Sequence, residues 1–441
     1  MSWFRPRNPK IDMRQFTPHP GAGYLVGGAV RDTLLGRPTR DLDWVVPEPR
    51  LEAERVAARL GARAFVLDET RDHWRVVAGG VVRDYAPLGA LEANLRARDY
   101  TVNAIAADLT GSLTDLTKGL NDLWAKRLRM VSAENLRADS LRGLRGVRLA
   151  ATLGFTLEKA TETAIQAHAA ELGTGKAPLP APERVNDELS QLLLSDNAGP
   201  GMRLLHRVGL LPVYLPELAE ADGVTQGGFH HLDVLGHSLE ALHQLVQGFP
   251  DADLTLRWAT LLHDVGKPAT KTYDESGRYY HFYGHDKLGA DLTQTLLERL
   301  RAPRERGERA AQLVRYHMVQ LPKNDKEARR FVYRRRTLLP DLLKLMIADR
   351  EAARGSMSSP ASRRRYRLAL ARVLEILSEG PPKAPLLDGR EVMALLGLSA
   401  GPRVGEAVRF VREAEAVGDV GDKREAEAAL RRYATAQGWL D

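Results

Sequence analysis

The sequence predicts an α+β fold, in which a mixed α/β head of about 110 residues precedes a long helical body. Two observations support this prediction. Short runs rich in β-branched and aromatic residues are confined to the first part of the chain. After about Asn135, Ala, Leu, Arg and Glu recur at a spacing of three to four residues, which is typical of helices.

The elements of the head follow from these patterns. The β-rich runs predict strands at Tyr24–Val26, Leu42–Val46, Ala64–Leu67, Arg75–Val77 and Gly80–Tyr85. Helical spacing predicts helices at Ala29–Leu35 and Leu51–Leu60. Clusters of Gly, Pro and Ser predict joints in the helical part at Gly173–Pro182, Asp222–Gly228, Arg354–Ser362 and Gly380–Pro385.

Composition excludes several classes of protein. The chain has 441 residues and no cysteine, which excludes disulfides, Cys-ligated zinc, iron–sulfur clusters and a thiol nucleophile. Its length suggests roughly two to four domains. We expect a cytoplasmic protein, because we find neither a signal peptide nor an apolar run of about 18 residues. The net charge of +7 slightly favours a polyanionic partner.

The strongest chemical signal lies near the amino terminus. A predicted strand ends at Gly27-Gly28 and a helix follows at once, so backbone N–H groups and the helix dipole can approach a phosphate. Arg31, one turn into that helix, can hold a phosphate oxygen. Asp41 and Asp43 stand two residues apart in a predicted strand, so both carboxylates lie on the same face. Paired oxygen ligands suit Mg²⁺, and the set predicts two-metal nucleotidyl transfer.

This pattern resembles the first motif of class II tRNA nucleotidyltransferases and bacterial poly(A) polymerases. These enzymes belong to the DNA polymerase β nucleotidyltransferase superfamily, so the resemblance implies a polymerase-β-like head followed by all-α neck, body, HD and tail domains. The later family motifs are matched in order at Arg98–Ala104, Asp122–Leu123 with Leu128–Arg129, Asp139–Arg142, and Glu183–Val185 followed by Glu188. Two positions depart from the family: Ala97 replaces an Arg of the second motif and Ala138 replaces a Glu of the fourth.

The resemblance implies a role for each carboxylate of the head. Asp41 and Asp43 would hold the Mg²⁺ ions that activate the tRNA 3′-hydroxyl and bridge the triphosphate. Such sites usually add a third carboxylate from a later strand, for which Asp84 is the candidate. An interpretation of Asp84 as a surface residue at a strand end is equally good.

The second and fourth motifs imply nucleotide contacts. Arg98 would lie near the triphosphate and Asp99 at the ribose, while Asn103 is either a nucleotide ligand or a structural cap. Asp139 and Arg142 stand three apart, so on one helix their heads would meet and imitate a Watson–Crick edge for cytosine. The alternative is a simple intrahelical ion pair. The nucleotide-binding motif continues with Arg145 and Arg148.

The segment after the last predicted strand bears on specificity. Family members that build the whole CCA end carry a flexible loop there, whereas Asp84–Gly89 leads almost directly into a predicted helix at Leu91–Arg96. Relatives with a shortened loop add only CC. We therefore expect CMP addition from CTP to tRNA. A full CCA-adding enzyme, an A-adding enzyme using ATP and a poly(A) polymerase are the alternatives, and a metal phosphohydrolase with an RNA-binding head is the alternative from another class.

A second constellation is formed by histidines and aspartates. In chain order they are His237, His263, Asp264, His285, His317 and Asp349, with His281 as the alternative to His285. This order resembles the HD phosphohydrolase superfamily. The resemblance implies that these residues are ligands of a divalent-metal site with phosphatase or 2′,3′-cyclic phosphodiesterase activity. A site that has decayed and serves only packing is the alternative.

Basic stretches suggest a path for tRNA. Arginine clusters at Arg329–Arg336 and Arg363–Arg367 are mixed with aromatic residues, although each could be a solvated helix face. Further cations crowd the expected neck at Lys126, Arg127, Arg129, Arg137, Arg142, Arg145 and Arg148. We expect a head at residues 1–135, a neck and body at 136–225, an HD domain at 226–355 and a tRNA-binding tail at 356–441. The oligomeric state stays open.

Overall fold

The computed structural model describes residues 9–226, 231–274, 280–353, 360–380 and 385–440. The chain divides into two compact units. One comprises Met1–Ala219 with Arg299–Ala302, and the other comprises Glu220–Glu298 with Pro303–Asp441.

The head is built on one sheet. Its strands in the described residues are β1 (Tyr24–Val26), β2 (Asp41–Val46), β3 (Ala64–Asp68), β4 (His73–Ala78), β5 (Val81–Pro87), β6 (Ile105–Asp108) and β7 (Leu113–Asp115). They lie in the order β3-β4-β5-β2-β1-β6-β7. β2 and β5 pair in parallel and the other neighbours pair antiparallel. The five predicted strands are confirmed, and β6 and β7 are two more that the sequence pattern missed.

Helices pack on both faces of this sheet. The head contains α1 (Gly28–Leu34), α2 (Pro49–Leu60), α3 (Leu91–Arg96) and α4 (Gly119–Trp124), with 3-10 helices at Met13–Phe16 and Thr101–Asn103. The main core is formed where α1 and α2 pack on the sheet, with Leu42, Trp44, Val56 and Val76 fully buried there. Because Leu42 and Trp44 enter this core, their alternating neighbours on β2 must face the opposite side of the sheet.

The remainder of the first unit is mainly helical, as predicted. It contains β8 (Arg127–Leu128), α5 (Ala133–Ala138), α6 (Arg142–Leu153), β9 (Thr156–Leu157), α7 (Lys159–Ala169), α8 (Pro182–Leu194), α9 (Ala198–Arg207), α10 (Leu211–Tyr214) and α11 (Pro216–Ala219). α6 packs against α8 and α9. The predicted joint Gly173–Pro182 lies between α7 and α8, and Pro182 begins α8, where its missing N–H costs no helical hydrogen bond.

The later part of the chain continues with α12 (Val234–Gly248), α13 (Leu254–Leu262), α14 (Lys267–Thr270), β10 (Thr272–Tyr273), β11 (Tyr280–His281), α15 (His285–Arg299), α16 (Arg304–Tyr316), α17 (Asp325–Arg335), a 3-10 helix (Arg336–Leu338), α18 (Asp341–Ala352), α19 (Pro360–Ser378), α20 (Gly389–Leu396), α21 (Pro402–Ala416) and α22 (Lys423–Ala436). α12 packs against α13 and α18. A separate core holds α20, α21 and α22 together. The predicted joints Arg354–Ser362 and Gly380–Pro385 fall largely outside the described residues.

In the described part of the chain, no helix is both long and apolar enough to cross a bilayer.

Asp122 of the third family motif is a buried junction within the first unit. Its side chain is fully enclosed and accepts hydrogen bonds from Thr101 Oγ1 (2.8 Å), Arg127 Nε (2.7 Å) and Arg129 Nε (2.8 Å). Burial alone would raise the pKa of Asp122, but these hydrogen bonds and the nearby guanidinium charge of Arg129 lower it. The carboxylate therefore ties β8 to α4 and to the 3-10 helix at Thr101–Asn103.

We expect Asp122→Ala to lower the free energy of unfolding by roughly 2–4 kcal/mol at neutral pH, because two partly buried arginines lose their partner. A carboxyl with a lowered folded-state pKa stabilises above its unfolded pKa of about 4, and this contribution is lost as pH falls through the folded-state pKa. The difference from wild type should therefore shrink in acid. Urea unfolding at pH 7 and at pH 3 measures it, with Asp196→Ala, at an exposed aspartate, as control. Equal stabilities at pH 7 would contradict this.

Candidate active site and metal centre

Asp41 and Asp43 share one face of the head sheet, as predicted. Both are exposed, whereas the intervening Leu42 is buried. The two carboxylates lie on an open cleft of about 710 Å³ that is lined by the sheet, the start of α1 and α6. The period-two interpretation of this segment is therefore confirmed.

The third candidate, Asp84, lies beside them. It is the Cα partner of Asp43 in the parallel β2–β5 ladder. Arg75, its partner on β4, orients the Asp84 carboxylate with two hydrogen bonds, Nε to Oδ1 at 2.6 Å and Nη2 to Oδ2 at 2.7 Å. Asp84 is thus a lining residue of the cleft and not an isolated surface residue.

The electrostatics of this carboxylate group favour a cation. Enclosure by the cleft walls raises the pKa of Asp43 although its side chain is reached by solvent, and the charges of Asp84 and Asp41 raise it further against the opposing effect of Arg98. A bound divalent cation would relieve this repulsion between like charges. Because all the candidate donors are carboxylate oxygens, the residues present fit Mg²⁺.

The glycine turn brings the backbone at Gly27 close to the guanidinium group of Arg98. Gly27 has φ +77°, and a Cβ there would lie 2.7 Å from Arg98 Nη1 and 3.1 Å from Asp43 Oδ2. Glycine suits this position, because the positive φ would strain any residue with a side chain and a Cβ would crowd Arg98 and Asp43. Arg98 is enclosed beside Asp43, and burial lowers its pKa. The Gly27 backbone and the Arg98 guanidinium therefore meet next to the carboxylates.

Arg31 and Asn103 form a chain of hydrogen bonds that ends on Asp99. Arg31 pairs with Asp32 and donates from Nη1 to Asn103 Oδ1 at 2.5 Å. Asn103 Nδ2 in turn donates to Asp99 Oδ1 at 3.0 Å. The hydrogen bond between Asn103 and Asp99 spans a 3-10 helix that starts at Thr101, so the two residues do not share a face of an α-helix. The cleft is lined by all three residues of this hydrogen-bond series, Arg31, Asn103 and Asp99. Asn103 bridges the other two and orients the Asp99 carboxylate.

The expected pairing of Asp139 with Arg142 is wrong in its geometry. α5 ends before Asp139, which has extended backbone, and α6 begins at Arg142, so the two do not share a helix. Asp139 Oδ2 instead accepts from Arg184 Nη2 at 2.7 Å. Burial would raise the pKa of Asp139, but this bond from Arg184 and the backbone N–H of Leu141 lower it.

Arg142 is held by backbone carbonyls. Its Nη1 donates to the carbonyls of Ala97 at 3.1 Å and Asn135 at 2.9 Å, and its side chain lines the cleft. Arg184 is the residue that the sequence reasoning missed as the partner of Asp139. It stands in the fifth family motif, but a pairing across 45 residues leaves no local signal.

Glu188 organises the other two neck arginines. This buried carboxylate accepts from Arg145 Nε at 3.0 Å and from Arg148 Nε at 2.8 Å. Arg145 Nη1 also lies 3.6 Å from Asp99 Oδ2. Burial acts to lower the pKa of Arg145, but Glu188 and Asp99 raise it overall. Both arginines line the cleft with their heads fixed, so they supply oriented positive charge there.

The histidines of the second constellation converge as predicted. Ligand atoms of His237, His263 and Asp264 lie within 4.8 Å of one another, and so do those of Asp264, His285 and His317. Asp264 is common to both groups: its Oδ2 is 3.2 Å from His263 Nε2 and its Oδ1 is 3.5 Å from His285 Nε2.

The two remaining candidates separate clearly. Asp349 Oδ1 lies 3.0 Å from His237 Nε2, at the edge of the first group. His281 is exposed on β11 and stacks against Tyr283. The cluster therefore contains His285 and excludes His281.

The orientation of the imidazoles fits a metal. In three of the rings, Nδ1 lies 2.6–2.8 Å from the backbone carbonyl three residues earlier, which requires an Nδ1–H donor; these rings are His263, His285 and His317. With Nδ1 engaged in this way, Nε2 is the nitrogen that each ring presents to the cluster, the arrangement found in ligating histidines. Nε2 atoms approach each other at 3.3 Å (His263 with His237) and 3.4 Å (His285 with His317), a contact that a cation between them would stabilise.

The carboxylates of this cluster are held ionised. Burial would raise the pKa of Asp264, but His263 and Lys267 hold it well below its usual range. Lys267 is buried and donates to Asp264 Oδ2 at 2.7 Å. Burial likewise opposes ionisation of Asp349, while the bond with His237 lowers its pKa. Nitrogen and carboxylate donors in this set suit a divalent transition metal.

The basic stretch on α17 is largely engaged in ion pairs. Arg329 pairs with Glu379, while Arg330 and Arg334 both pair with Glu413. These residues hold α17 to α19 and α21. The side chain of Arg363, in the second stretch, lies outside the described residues. A tRNA path along these stretches stays a prediction.

A glycine turn, three carboxylates and oriented arginines at one cleft define a nucleotidyl-transfer head, and the chain also carries an imidazole-rich cluster that could hold a metal ion. Family models match three segments: "Poly A polymerase head domain" at residues 86–129, "Probable RNA and SrmB- binding site of polymerase A" at 154–222 and "HD domain" at 234–354.

Two curated relatives match nearly the whole chain. The A-adding tRNA nucleotidyltransferase of Deinococcus radiodurans is 55% identical over 95% of this chain and 96% of its own length. The CC-adding tRNA nucleotidyltransferase of Thermus thermophilus is 48% identical over 93% of each chain. The chain belongs to the tRNA nucleotidyltransferase and poly(A) polymerase family.

Solved structures share the fold. The Bacillus stearothermophilus CCA-adding enzyme in complex with CTP superposes with a TM-score of 0.66 at 22% identity, covering 97% of this chain and 96% of that one. The Thermotoga maritima CCA-adding enzyme complexed with tRNA gives 0.62 at 20% identity, covering 93% and 91%. A polymerase-β-like head followed by helical domains, as predicted, is therefore confirmed as the fold class.

Proposed function

We propose that this chain adds CMP from CTP to the 3′ end of tRNA without a nucleic-acid template and stops after the two cytidines of the CCA end. The observation that carries this proposal is the connection between β5 and α3. β5 ends at Pro87 and α3 begins at Leu91, so there is no room for the flexible loop that full CCA-adding relatives carry. The CC-adding relative at 48% identity supports the same conclusion.

The chemistry follows from the cleft. The tRNA 3′-hydroxyl attacks the α-phosphorus of CTP, a new phosphodiester bond forms, and pyrophosphate leaves. Asp41, Asp43 and Asp84 would hold Mg²⁺, which would neutralise phosphate charge and favour loss of the hydroxyl proton. The Gly27 backbone and Arg98 would bind the triphosphate. Asp99, which also lines the cleft, would bind the ribose.

Base selection would use Asp139, in the segment between α5 and α6, and Arg142, the first residue of α6. Arg142 would donate to cytosine O2 and N3, and Asp139 would accept from the N4 amine. In this proposal Arg184 takes the orienting role, because it fixes the Asp139 carboxylate. The buried Glu188 would orient Arg145 and Arg148 toward the phosphates.

A-adding activity is the second candidate. The relative at 55% identity carries that activity in its name and covers 95% of this chain. The reaction would be the same, with ATP as donor and a tRNA that already ends in CC as acceptor.

A nucleotide-by-nucleotide extension assay separates these functions. We expect a tRNA transcript that ends at its discriminator base to gain two nucleotides from CTP, and a transcript ending in CC to gain nothing from ATP. Products are resolved on a sequencing gel, with Asp43→Ala as the inactive control. A single A added to the CC transcript, with no use of CTP, would establish the second candidate. A complete CCA end would contradict both, and long homopolymers from ATP would indicate a poly(A) polymerase.

We further propose that the histidine cluster is an active phosphohydrolase, with phosphatase or 2′,3′-cyclic phosphodiesterase activity. Three rings share an inward orientation of Nε2, with Nδ1 held by a backbone carbonyl, and this arrangement supports an intact metal site. Hydrolysis of 2′,3′-cyclic CMP and of p-nitrophenyl phosphate with Mg²⁺, Mn²⁺ or Ni²⁺ would identify both the metal and the substrate class.

The module boundaries are part of this proposal. We assign residues 1–135 to the head, 136–225 to the neck and body, 226–355 to the HD domain and 356–441 to a tRNA-binding tail. With tRNA as its substrate, the enzyme would act in the cytoplasm.

A further inference from the structure

One row of residues crosses the head sheet from the cleft to its edge. Asp43 on β2 is the Cα partner of Asp84 on β5, Asp84 of Arg75 on β4, and Arg75 of Phe65 on β3. Residues directly opposite each other on neighbouring strands point to the same face. Phe65 therefore stands on the carboxylate face of the sheet. With about 4.8 Å between strands, it lies roughly 10 Å from Asp84 and 14 Å from Asp43.

The outer part of this face is apolar and exposed. Phe65 is 46% exposed and Val77 on β4 is 47% exposed. Val77 is the partner of Val82, which lines the cleft, so the apolar surface continues into the site. Large apolar side chains grouped at the mouth of a polar cleft indicate a binding surface.

The groups proposed for the nucleotide lie on the other side of Asp43. Gly27 follows β1, which flanks β2 on the side away from β5. Arg98 lies beside Gly27, since its Nη1 is 2.7 Å from the position that a Cβ on Gly27 would occupy. With CTP on the β1 side, the surface left for the acceptor strand is the one over β5, β4 and β3.

We propose that Phe65, with Val77 beside it, is a stacking platform for the terminal bases of the RNA acceptor strand. Arg75, whose guanidinium is paired with Asp84 and still partly exposed, stands between Phe65 and Asp84 in the row. An aromatic ring and a guanidinium group therefore succeed each other along the path to the carboxylates. Binding surfaces for single-stranded RNA combine these two elements, because bases stack on rings and phosphates approach cations. This inference rests on the proposed function, whose acceptor strand it places.

Edge-strand pairing with a second copy is the competing occupant. β3 is the edge of the sheet in the described residues, but its register is interrupted between Val66 and Asp68. Such a bulge disfavours pairing with a further strand. The position of Phe65 in the row of the carboxylates favours RNA.

Steady-state kinetics of CTP incorporation test the platform. Phe65→Ala is expected to raise the KM for tRNA roughly 5- to 100-fold and to leave the KM for CTP unchanged, since loss of one stacked base has an effect of this size. Phe65→Trp should restore the wild-type value. The matched control is Leu51→Ala, because Leu51 is 57% exposed on α2 and α2 covers the opposite face. Melting temperatures of the variants show that each is folded.

A binding readout separates failure of this inference from failure of the proposed function. A tRNA with 2-aminopurine as its terminal base should be quenched on binding wild type and not on binding Phe65→Ala, whether or not CTP is incorporated. Equal quenching and equal KM values for Phe65→Ala and Leu51→Ala would overturn the platform while the function stands. A dimer in light scattering that Phe65→Ala converts to a monomer, with unchanged tRNA binding, would assign the face to a second copy and also overturn it.

Discussion

Asp43→Ala is expected to lower the rate of CMP incorporation by roughly 10³-fold or more, with tRNA binding retained. Asp43 lies at the centre of the carboxylate face, between Asp41 on its own strand and its ladder partner Asp84. Phosphoryl transfer depends on charge neutralisation and positioning, so removing the central metal ligand removes most of the catalysis. Asp43→Asn, which keeps the shape but not the charge, should be almost as inactive.

Single-turnover incorporation of labelled CMP measures this loss. Glu69→Ala, at an exposed carboxylate elsewhere in the head, is the matched control and should keep wild-type rates. Phosphate hydrolysis by the histidine centre of the same variant should be unchanged, which shows that the chain is folded. An Asp43→Ala protein within tenfold of wild type would contradict the assignment.

The raised pKa of Asp43 adds a pH dependence to this prediction. Enclosure and the neighbouring carboxylates make Asp43 bind a proton at a higher pH than an ordinary aspartate does. At limiting Mg²⁺, the rate of CMP incorporation should therefore begin to fall at a higher pH than it would for a site with an ordinary aspartate. Raising the Mg²⁺ concentration should move the acidic limb to lower pH, because cation and proton compete for the same oxygens.

Asp264→Ala is expected to abolish phosphate hydrolysis, again by roughly 10³-fold or more, and to remove metal from the histidine centre. Asp264 is the one residue that both ligand groups share, with Oδ2 toward His263 and Oδ1 toward His285. Its loss would also leave the buried Lys267 without its carboxylate partner. Asp264→Asn keeps the volume and tests the charge alone.

Metal content by mass spectrometry and hydrolysis of 2′,3′-cyclic CMP measure the outcome, and CMP incorporation in the same preparation reports folding. His281→Ala is the control, because His281 is exposed outside the cluster and should affect neither measurement. Full hydrolysis by Asp264→Ala would show that the histidine centre is not the hydrolytic site. Loss of metal without any wild-type hydrolysis would favour a purely structural centre.

Much of the fold can be predicted from local sequence patterns. Asp41 and Asp43 were placed on one face because the period of two along a strand is a property of the backbone itself. The five strongest strands were found because β-branched and aromatic residues are concentrated there. β6 was missed because its sequence, Ile-Ala-Ala-Asp, has little of that signal, and it becomes a strand by pairing with β1.

By itself, the sequence determined the α+β class, the order of the motifs, the two aspartates on β2 and, apart from one histidine, the members of the candidate metal cluster. Only the tertiary structure decided which partners these residues have. It paired Asp139 with Arg184 and not with Arg142, placed Asp84 beside Asp43, and chose His285 over His281. The physical reason is that a side chain's periodicity is set by its own backbone, whereas its partner is set by the packing of segments that are distant in the chain.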